Sequence, residues 1–518
     1  MTRARKSGGR VSFVGTGTGD AGLLTVRATE VLAGAEVAFV DEAVSEAVRA
    51  LIGGEIRSVE PAATDVTKLT LAEARNGTLV VRVVAGDPFG SEAIAREALA
   101  VGKSVIPYEV IPGLSEAAAT ATYAGVPVGA VHTEVDLRQG SAVDLDAIAA
   151  APGLLVLTLD ATEVGATAEQ LVASGLKPDS TLTVTCAGTT TAQVTVNGTL
   201  GEADLAAAGM YGPVVLTIGK TSVSRDKLAW WESRALFGWK ILVPRTKEQA
   251  GAMSERLRDF GAVPVEVPTI AVEPPRTPTQ MERAIKGLVT GRYEWIVFTS
   301  TNAVKAVREK FEEFGLDARA FAGVKIACVG EQTADAVRAF GIRPELVPSG
   351  EQSSEGLLAD FPPYDDVLDP IDRVLLPRAD IATETLAEGL RERGWEIDDV
   401  TAYRTVRAAP PAAEIRDAIK SGGFQAVCFT SSSTVRNLVG IAGKPHNKTV
   451  VACIGPQTAA TAREFGLRVD VQPETANVAS LIDALAEFAV KRAEEEREKA
   501  AAAPARRSRT SARTRTVR

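Results

Sequence analysis

The feature that most constrains the fold of this chain is an internal repeat in its second half. Three motifs recur in the same order: LVPR as LLPR, FTSTNAV as FTSSSTV, and VGEQTADAVRAFG as IGPQTAATAREFG. The first copies begin at 242, 298 and 329 and the second copies at 375, 429 and 454, so the offsets are 133, 131 and 125 residues. Nearly equal offsets in a fixed order indicate a duplicated structural unit. We therefore predict two similar α/β lobes with a cleft between them.

The repeat also predicts how the second half is divided. We expect it to span 238–488, with lobe two over 272–402 and lobe one combining 238–268 with 406–488. In that arrangement the chain crosses between the lobes twice. Two such crossings would act as a hinge.

The first half alternates short apolar runs with helical stretches. VSFVG, LLTVRATEVLAGA and EVAFVD form a β-α-β pattern, and similar runs continue as far as GPVVLTIGK. This alternation is typical of an α/β domain, which we place at 11–222. A linker is expected over 223–237, and a charged helix followed by a disordered basic tail over 489–518.

Composition narrows the classes of function. At 518 residues the chain is long enough for about three folding units. Its net charge of −9 argues against whole-chain attraction to nucleic acid or an anionic membrane. The only histidines, His132 and His446, are far apart, so neither a histidine metal site nor a Ser-His-Asp triad is expected.

The four cysteines lie in apolar runs without CxxC spacing, which predicts free buried thiols in a reducing compartment. The basic start is followed by an apolar run too short for a signal peptide. No apolar stretch approaches the roughly 18 residues that a membrane span requires. A cytoplasmic location is therefore expected.

A glycine-rich string, GTGTGD at 15–20, follows the first predicted strand and precedes a helix. Backbone N–H groups at such a junction favour a nucleotide-like ligand. Asp41 ends the next strand, about twenty residues further on, where a dinucleotide-binding fold places its ribose-binding acid. The spacing is GxGxG rather than GxGxxG, so this pattern alone is weak support for NAD binding.

Larger strings in the first half resemble the S-adenosylmethionine-dependent tetrapyrrole methyltransferases. They are VSFVGTGTGDAGLLTVRATEVLAGAEVAFVDEAVS, VVRVVAGDPFG, YEVIPGLSEAAATATYAGVPV, GTTTAQVTVNGTL and GPVVLTIGK. Within that family the likeness is greatest to uroporphyrinogen-III C-methyltransferases, which methylate ring carbons of uroporphyrinogen III towards precorrin-2. The resemblance implies S-adenosyl-L-methionine as cofactor, bound by Gly15, Gly17, Gly19, Gly86, Asp87 and Pro88.

The same resemblance implies a catalytic role for Asp41, which would take the proton that the ring loses. The alternative is that Asp41 only caps the following turn. Arg82 is expected either to meet a propionate or to form a surface ion pair. Departures from the family pattern, such as Thr18 in place of proline and GSEAIAR in place of an Arg-Gly-Gly turn, leave open a degenerate domain that serves as a scaffold or binds a ligand.

The repeated strings of the second half, together with ILVPRTKEQAGAMSERLRDFGAVPVEVPTI and WEIDDVTAYRTV, resemble the uroporphyrinogen-III synthases over residues 238–488. These enzymes close hydroxymethylbilane into uroporphyrinogen III with inversion of ring D and use no cofactor. The resemblance implies that Tyr403, in AYRTV, donates a proton to the departing hydroxyl. The alternative for Tyr403 is a core hydrogen bond.

A flexible polycarboxylate is best held by hydroxyls, backbone amides and a few guanidinium groups facing one cleft. The paired motifs supply these groups at the carboxyl ends of strands and at helix N-termini. Taken singly, each serine or threonine there is as well explained as a helix cap. The predicted substrate-binding residues are Arg245, Ser300, Thr301, Thr333, Arg378, Ser431, Ser433 and Thr458.

The predicted fold class is therefore α/β, a tetrapyrrole-methylase-like domain followed by a two-lobed synthase with parallel sheets and a hinge cleft. The predicted function is ring closure coupled to C-methylation. A synthase with a degenerate methyltransferase-like domain is the alternative, and a two-lobed ligand sensor is a third possibility. Expected ligands are hydroxymethylbilane and uroporphyrinogen III, without a metal, a membrane or specific nucleic acid, and a homodimer through the first half is possible.

Overall fold

The computed structural model describes residues 8–60, 65–139, 143–221, 225–245 and 247–502. Its strands in the first part of the chain are β1 (Arg10–Gly15), β2 (Val37–Asp41), β3 (Glu55–Val59), β4 (Leu79–Val84), β5 (Tyr108–Ile111), β6 (His132–Asp136), β7 (Leu154–Asp160), β8 (Thr181–Cys186), β9 (Val194–Thr199) and β10 (Pro213–Ile218). Those that follow are β11 (Lys240–Val243), β12 (Val263–Glu266), β13 (Ile270–Glu273), β14 (Trp295–Phe298), β15 (Lys325–Cys328), β16 (Arg373–Ala379), β17 (Glu396–Arg407), β18 (Ala426–Phe429) and β19 (Val450–Cys453).

The first α-helices are α1 (Val26–Ala33), α2 (Glu46–Arg49), α3 (Val66–Arg75), α4 (Glu92–Gly102), α5 (Glu116–Tyr123), α6 (Leu145–Ala149), α7 (Val164–Ala173), α8 (Ala203–Ala206) and α9 (Lys247–Asp259). The remaining helices are α10 (Pro278–Val289), α11 (Thr301–Glu313), α12 (Glu331–Ala339), α13 (Ser354–Asp360), α14 (Thr385–Glu392), α15 (Ala413–Ser421), α16 (Ser432–Ala442), α17 (Pro456–Glu464) and α18 (Val478–Ala502). The predicted α/β fold class is confirmed.

The chain divides into two compact units, one built mainly from residues up to Trp239 and the other mainly from Lys240 onward. The segment Leu257–Val263 belongs with the first unit. The first unit contains a parallel sheet in the order β3-β2-β4-β1-β5. The carboxyl ends of its strands therefore lie along one edge, where ligands of open α/β sheets bind.

The second sheet of the first unit has the order β6-β7-β10-β8-β9. Only β6 and β7 are parallel, whereas β10 runs antiparallel to β7 and β8, and β8 and β9 form an antiparallel hairpin. The alternation of apolar runs predicted one α/β domain and did not indicate this mixed sheet. Apolar runs mark strands but do not reveal their direction.

The second unit contains two sheets, and the internal repeat proves to be structural. One sheet has the order β12-β11-β18-β19 and, with its helices, is called lobe one; the other has the order β13-β17-β16-β14-β15 and is called lobe two. In each lobe three parallel strands carry the repeated motifs. The strand before the FTS turn, β18 or β14, lies in the middle. On one side of it is the strand of the Pro-Arg motif, β11 or β16, and on the other is the strand that leads to the G-x-Q-T turn, β19 or β15. In lobe two, β13 adds an antiparallel edge.

Two chain crossings join the lobes, and β17 carries the second. Its first half pairs with β16 in parallel and its last four residues pair with β13 in the opposite sense. The strand continues to Arg407, so the lobe-two sheet extends past the predicted bound at residue 402. Ala408 N donates to Thr269 O at 3.3 Å, which ties the two crossings together.

The segment predicted as a linker, 223–237, packs as part of the first unit from residue 225 onward; residues 223 and 224 lie outside the described part. Tyr123 on α5 lies 5.0 Å from the ring of Trp230 and 4.8 Å from that of Trp231. The Arg234 guanidinium sits over Trp231 at 4.2 Å. The segment is therefore packed on the first unit, because aromatic rings in such numbers bury too much apolar surface to remain unpacked.

The cysteines are free, and Cys328, Cys428 and Cys453 are buried while Cys186 is partly exposed. Burial raises the pKa of the Cys328 and Cys428 thiols to about 12 and that of Cys453 to about 11. Within the described ranges, no helix has the length and apolarity to cross a membrane. The predicted charged helix from residue 489 is the end of α18, which starts earlier because Leu481 and its neighbours are buried, and the basic tail from 503 lies outside the described residues.

Candidate functional sites

Three loops meet at the carboxyl edge of the parallel sheet in the first unit. They follow β1, β4 and β5, which are neighbours in the sheet. Gly17 N donates to Gly86 O at 3.0 Å, and Gly86 N donates to Gly17 O at 3.1 Å. The structure thus brings together two of the loops predicted to bind the cofactor.

Glycine is required where these loops touch. A Cβ on Gly15 would lie 2.6 Å from both Gly113 N and Gly86 O, closer than van der Waals contact allows. Gly17 and Gly86 have φ of +59° and +72°, a region that only glycine adopts freely. The loops therefore form a cradle of bare backbone, which suits a nucleotide-like ligand approaching the main chain.

Asp87 and Gly19 support this cradle. Asp87 accepts hydrogen bonds from Phe89 N at 2.9 Å and Gly113 N at 3.0 Å, so its carboxylate braces two loops. Gly19 O accepts a hydrogen bond from Ser45 Oγ at 2.6 Å. Pro88 is buried beneath the cradle. For Asp87 the visible role is to fix loop geometry, not to present a free carboxylate.

Sequence reasoning missed the loop between β8 and β9. Ala187 and Thr189 have φ of +48° and +66°, the only positive values for non-glycine residues in the described part of the chain. Thr189 is 2% exposed, and its hydroxyl has no hydrogen-bond partner among the residues that the structure describes. The loop packs on α5, where a Cβ on Gly188 would lie 2.2 Å from Thr120 Oγ1. Strain together with an unsatisfied buried hydroxyl is characteristic of ligand sites. The only sequence signal was the string GTTTAQ, which does not single out one threonine.

Asp41 lies beside a fully buried arginine. Arg82 is 0% exposed and donates to Glu97 at 2.9 Å and to Val83 O at 3.1 Å, while its Nη1 lies 2.6 Å from Asp41 Oδ1. That last contact is an ion pair whose alignment falls short of a hydrogen bond. Arg82 is therefore neither a surface ion pair nor a propionate ligand, which corrects both expectations. Burial raises the pKa of Asp41 above its ordinary value, and Arg82 and Arg49 oppose that rise.

In lobe two, the predicted proton donor is linked to a predicted substrate-binding serine. Tyr403 is 7% exposed and its hydroxyl lies 3.0 Å from Ser300 Oγ. Ser300 also caps α11 by accepting a hydrogen bond from Ala303 N at 3.2 Å. Thr301, the first residue of that helix, is exposed. Ser300 is thus a helix cap that also contacts Tyr403, and its binding of substrate stays a prediction.

A groove of about 460 Å³ opens beside Tyr403. It is bordered by β13 and the segments on either side of it, by α11 and by the middle of β17. Its polar lining residues are Glu273, Asn302, Lys305, Glu309, Lys310, Glu313 and Tyr403. Tyr403 lines this groove, whereas its partner Ser300 does not.

In lobe one, the FTS turn forms a second hydroxyl cluster. Ser431 caps α16 in a reciprocal capping box with Thr434. Its Oγ lies 2.9 Å from that of Ser433. Thr458 and its counterpart in lobe two, Thr333, are both buried in the first turns of α17 and α12.

The two predicted arginines have different surroundings. Arg378 is 6% exposed and is held by Asp399 at 2.7 Å and Glu384 at 2.6 Å, so the structure gives it an internal role in place of the predicted substrate contact. Arg245 is half-buried and has no ion pair within the part of the chain that is described. Burial lowers the pKa of the Arg245 guanidinium. A desolvated cation without an acid is suited to bind an anionic ligand.

The fold and the two sites define a two-part α/β protein. The first unit has a backbone cradle, and the second has hydroxyls, helix N-termini and the Arg245 guanidinium, which pairs with no acid of the described residues. Among the described residues no cluster of histidine, cysteine and carboxylate side chains could hold a metal. Two family models match the chain. Residues 10–204 match the tetrapyrrole (corrin/porphyrin) methylases, and residues 251–483 match uroporphyrinogen-III synthase HemD. The N-terminal half is thus similar to the first family and the C-terminal half to the second, and each model covers less than half of the chain.

Individual relatives follow the same division. The chain is similar to the porphyrin biosynthesis protein HemD of Ruminiclostridium josui, with 29% identity over 93% of this chain and 98% of that protein. It is 32% identical to the siroheme synthase of Tolumonas auensis over 46% of this chain, and it spans about half (54%) of that enzyme. The crystal structure of uroporphyrin-III C-methyl transferase from Thermus thermophilus complexed with S-adenyl homocysteine aligns with a TM-score of 0.37 at 28% identity, over 41% of this chain and 98% of that one.

Proposed function

We propose that the second unit closes hydroxymethylbilane into uroporphyrinogen III with inversion of ring D, and that the first unit then C-methylates this product towards precorrin-2. Similarity to both families supports this pairing over a synthase with a degenerate partner domain. The observation that carries the synthase activity is the Tyr403–Ser300 hydroxyl pair beside an open groove.

For ring closure, Tyr403 donates its proton to the hydroxyl of the bilane, which leaves as water and generates an electrophilic carbon. Ser300 lies within hydrogen-bond distance of the tyrosine and orients its hydroxyl. Ring D attacks that carbon through its substituted position and forms a spiro intermediate, in which the original bond from ring D to the bilane chain then breaks. Ring D closes again through its unsubstituted carbon, which loses its proton, so the ring ends in the inverted sense. The proton released from the pyrrole restores the tyrosine, so the reaction consumes no cofactor.

For methylation, the glycine cradle of Gly15, Gly17 and Gly86 would hold S-adenosylmethionine, with Asp87, Pro88 and Gly19 fixing the loops. The cofactor, when bound, supplies an electrophilic methyl group on its sulfonium. Asp41 accepts the proton that the ring loses, and Arg82 keeps its carboxylate in place. The bare-backbone cradle fits such a ligand because a Cβ placed on Gly86 would meet nothing within 4 Å, so open space lies beside the main chain there.

One incubation tests both activities. The purified chain is mixed with hydroxymethylbilane, with and without S-adenosylmethionine, and the products are separated by chromatography. We expect isomer III alone without the cofactor and methylated products with it. Uroporphyrinogen I as the main product would refute the synthase activity, and unmethylated isomer III in both mixtures would refute the methyltransferase activity. A cytoplasmic location and a dimer through the first unit remain predictions.

A further inference from the structure

The strained loop between β8 and β9, residues 187–193, is held partly by its own hydrogen bonds. Gln193 Oε1 accepts a hydrogen bond from Thr189 N at 2.9 Å, and Thr190 Oγ1 donates to Ala187 O at 2.7 Å. Backbone strain persists only where the surrounding structure fixes it more than once. A contact from outside the hairpin is therefore expected to help hold this loop.

Trp231 supplies that contact from a different part of the chain. Its indole Nε1 donates to Thr190 O at 2.9 Å. Among the hydrogen bonds between described residues, this is the one that reaches the loop from outside the β8–β9 hairpin. Packing adds to it, since a Cβ on Gly238 would lie 3.2 Å from Thr191 O. The segment 225–239 thus braces the loop.

The indole of Trp231 is itself held on several sides. The rings of Tyr123, Trp230 and Phe237 contact it edge-on, with centroid distances of 4.8, 5.5 and 6.1 Å. The Arg234 guanidinium lies over it at 4.2 Å. Because a ring packed in this way has few alternative orientations, its N–H is directed at one acceptor.

The braced loop lies close to the glycine cradle. Helix α5 begins after Ser115, beside the cradle, because a Cβ on Gly17 would lie 3.0 Å from Leu114 N. The loop packs on the same helix, where a Cβ on Gly188 would lie 2.2 Å from Thr120 Oγ1. Five residues of helix separate the two contacts, a distance of about 7.5 Å along its axis. A nucleotide-like ligand is longer than that, so one bound in the cradle reaches the loop.

We propose that Trp231 is a positioning residue of the methyl-donor site. Its N–H holds the loop between β8 and β9 in the strained conformation that the bound cofactor contacts, so Trp231 acts through the loop. The proposal rests on the proposed methyltransferase activity. It places a determinant of cofactor affinity beyond residues 10–204, the part of the chain that matches the methylase family.

The test removes the indole N–H and keeps an aromatic ring in the cluster. In full-length Trp231→Phe we expect the Kd for S-adenosylhomocysteine, measured by calorimetric titration, to rise about five- to tenfold, because the loop loses one hydrogen bond. With S-adenosylmethionine and uroporphyrinogen III, KM for the cofactor should rise by the same factor while kcat stays within about twofold. Amide hydrogen exchange over residues 187–193 should become faster.

Trp230→Phe is the matched control. Trp230 Nε1 donates at 3.2 Å to Thr122 O, which lies on α5 and not on the loop. The control loses the same type of bond from the same cluster, so its Kd should stay within about twofold of wild type. An unchanged Kd in Trp231→Phe, or an equal rise in both variants, would overturn the proposal. Faster exchange spread over the whole first unit in Trp231→Phe would also overturn it, because that result indicates general loosening.

The two proposals fail separately. If the wild-type chain binds S-adenosylhomocysteine but makes no methylated product, the methyltransferase activity is refuted, and the Kd values of the two variants still decide the role of Trp231. If Trp231→Phe methylates with an unchanged KM for the cofactor, the positioning role alone is refuted.

Discussion

Arg82 shows how much a single buried residue contributes to the first unit. It is enclosed between Asp41 and Glu97, and removal of one partner from a buried ion pair costs roughly 3–5 kcal/mol. We expect Arg82→Met to lower the free energy of unfolding by about that amount in urea titrations. The matched control is Arg96→Met on the same helix as Glu97, whose exposed pair with Glu92 should be worth less than about 1 kcal/mol.

The loss in Arg82→Met should also depend on pH. Without the Arg82 guanidinium, Arg49 alone opposes the effect of burial on Asp41, and the pKa of that carboxyl rises further above its ordinary value. The native state then binds a proton more readily than the unfolded state, so the variant gains stability as pH falls through that raised pKa. A stability difference from wild type that stayed constant between pH 7 and 5 would contradict the role assigned to the Arg82–Asp41 pair.

Tyr403 and Tyr293 are two buried tyrosines of lobe two whose Phe variants separate an effect on catalysis from an effect on stability. Each donates or shares one hydroxyl hydrogen bond in lobe two, Tyr403 with Ser300 and Tyr293 with Asp398 at 2.6 Å. We expect Tyr403→Phe to reduce kcat for isomer III by roughly ten- to a hundredfold, because the general acid is lost. Tyr293→Phe should affect stability by about 1–2 kcal/mol and leave kcat unchanged. Equal rates for the two variants would exclude proton donation by Tyr403.

Among the structural elements, the three loops of the cradle tolerate an added side chain least well. Gly15→Ala places a methyl group 2.6 Å from two backbone atoms, so the loops must separate, at a cost of about 1–3 kcal/mol. We expect methylated product to disappear. Gly90→Ala, in the adjacent 3-10 turn, meets nothing closer than 3.8 Å and should retain activity. Equilibrium dialysis with labelled S-adenosylmethionine separates a loss of binding from a loss of turnover.

The elements also show what can be learned from sequence. The repeat predicted two lobes, and the strands bearing its motifs occupy equivalent places in both sheets. The GTGTGD string predicted a loop with an approachable backbone because glycine's freedom is local, whereas the part played by Gly86 and Asp87 was implied only by the resemblance to the methyltransferase family. The pairing of Arg378 with Asp399, 21 residues away in sequence, was not predictable, since charge partners depend on which strands become neighbours. The aromatic packing of the 225–239 segment was not predictable either, because it also depends on which elements become neighbours in the fold.

For the whole molecule, the separate units predict that the two activities are separable. Gly15→Ala should abolish methylation but leave the yield of isomer III intact, because every residue assigned to ring closure lies in the second unit. Tyr403→Phe should slow ring closure but leave methylation of added uroporphyrinogen III at the wild-type rate. Product analysis on the full-length variants measures both rates. Loss of both activities in either variant would mean that the units depend on each other.

The four thiols lie in different parts of the fold, so the rate at which each is alkylated reports how often its own sheet opens. Cys186 lies in the first unit and is partly exposed, Cys328 lies in lobe two, and Cys428 and Cys453 lie in lobe one. Because burial raises the pKa of the last three, they react with a thiol reagent only when their own sheet opens. Mass spectrometry of timed alkylation should show Cys186 modified first. The alkylation rate of Cys328 then measures the opening of lobe two, and the rates of Cys428 and Cys453 measure the opening of lobe one, without any engineered probe.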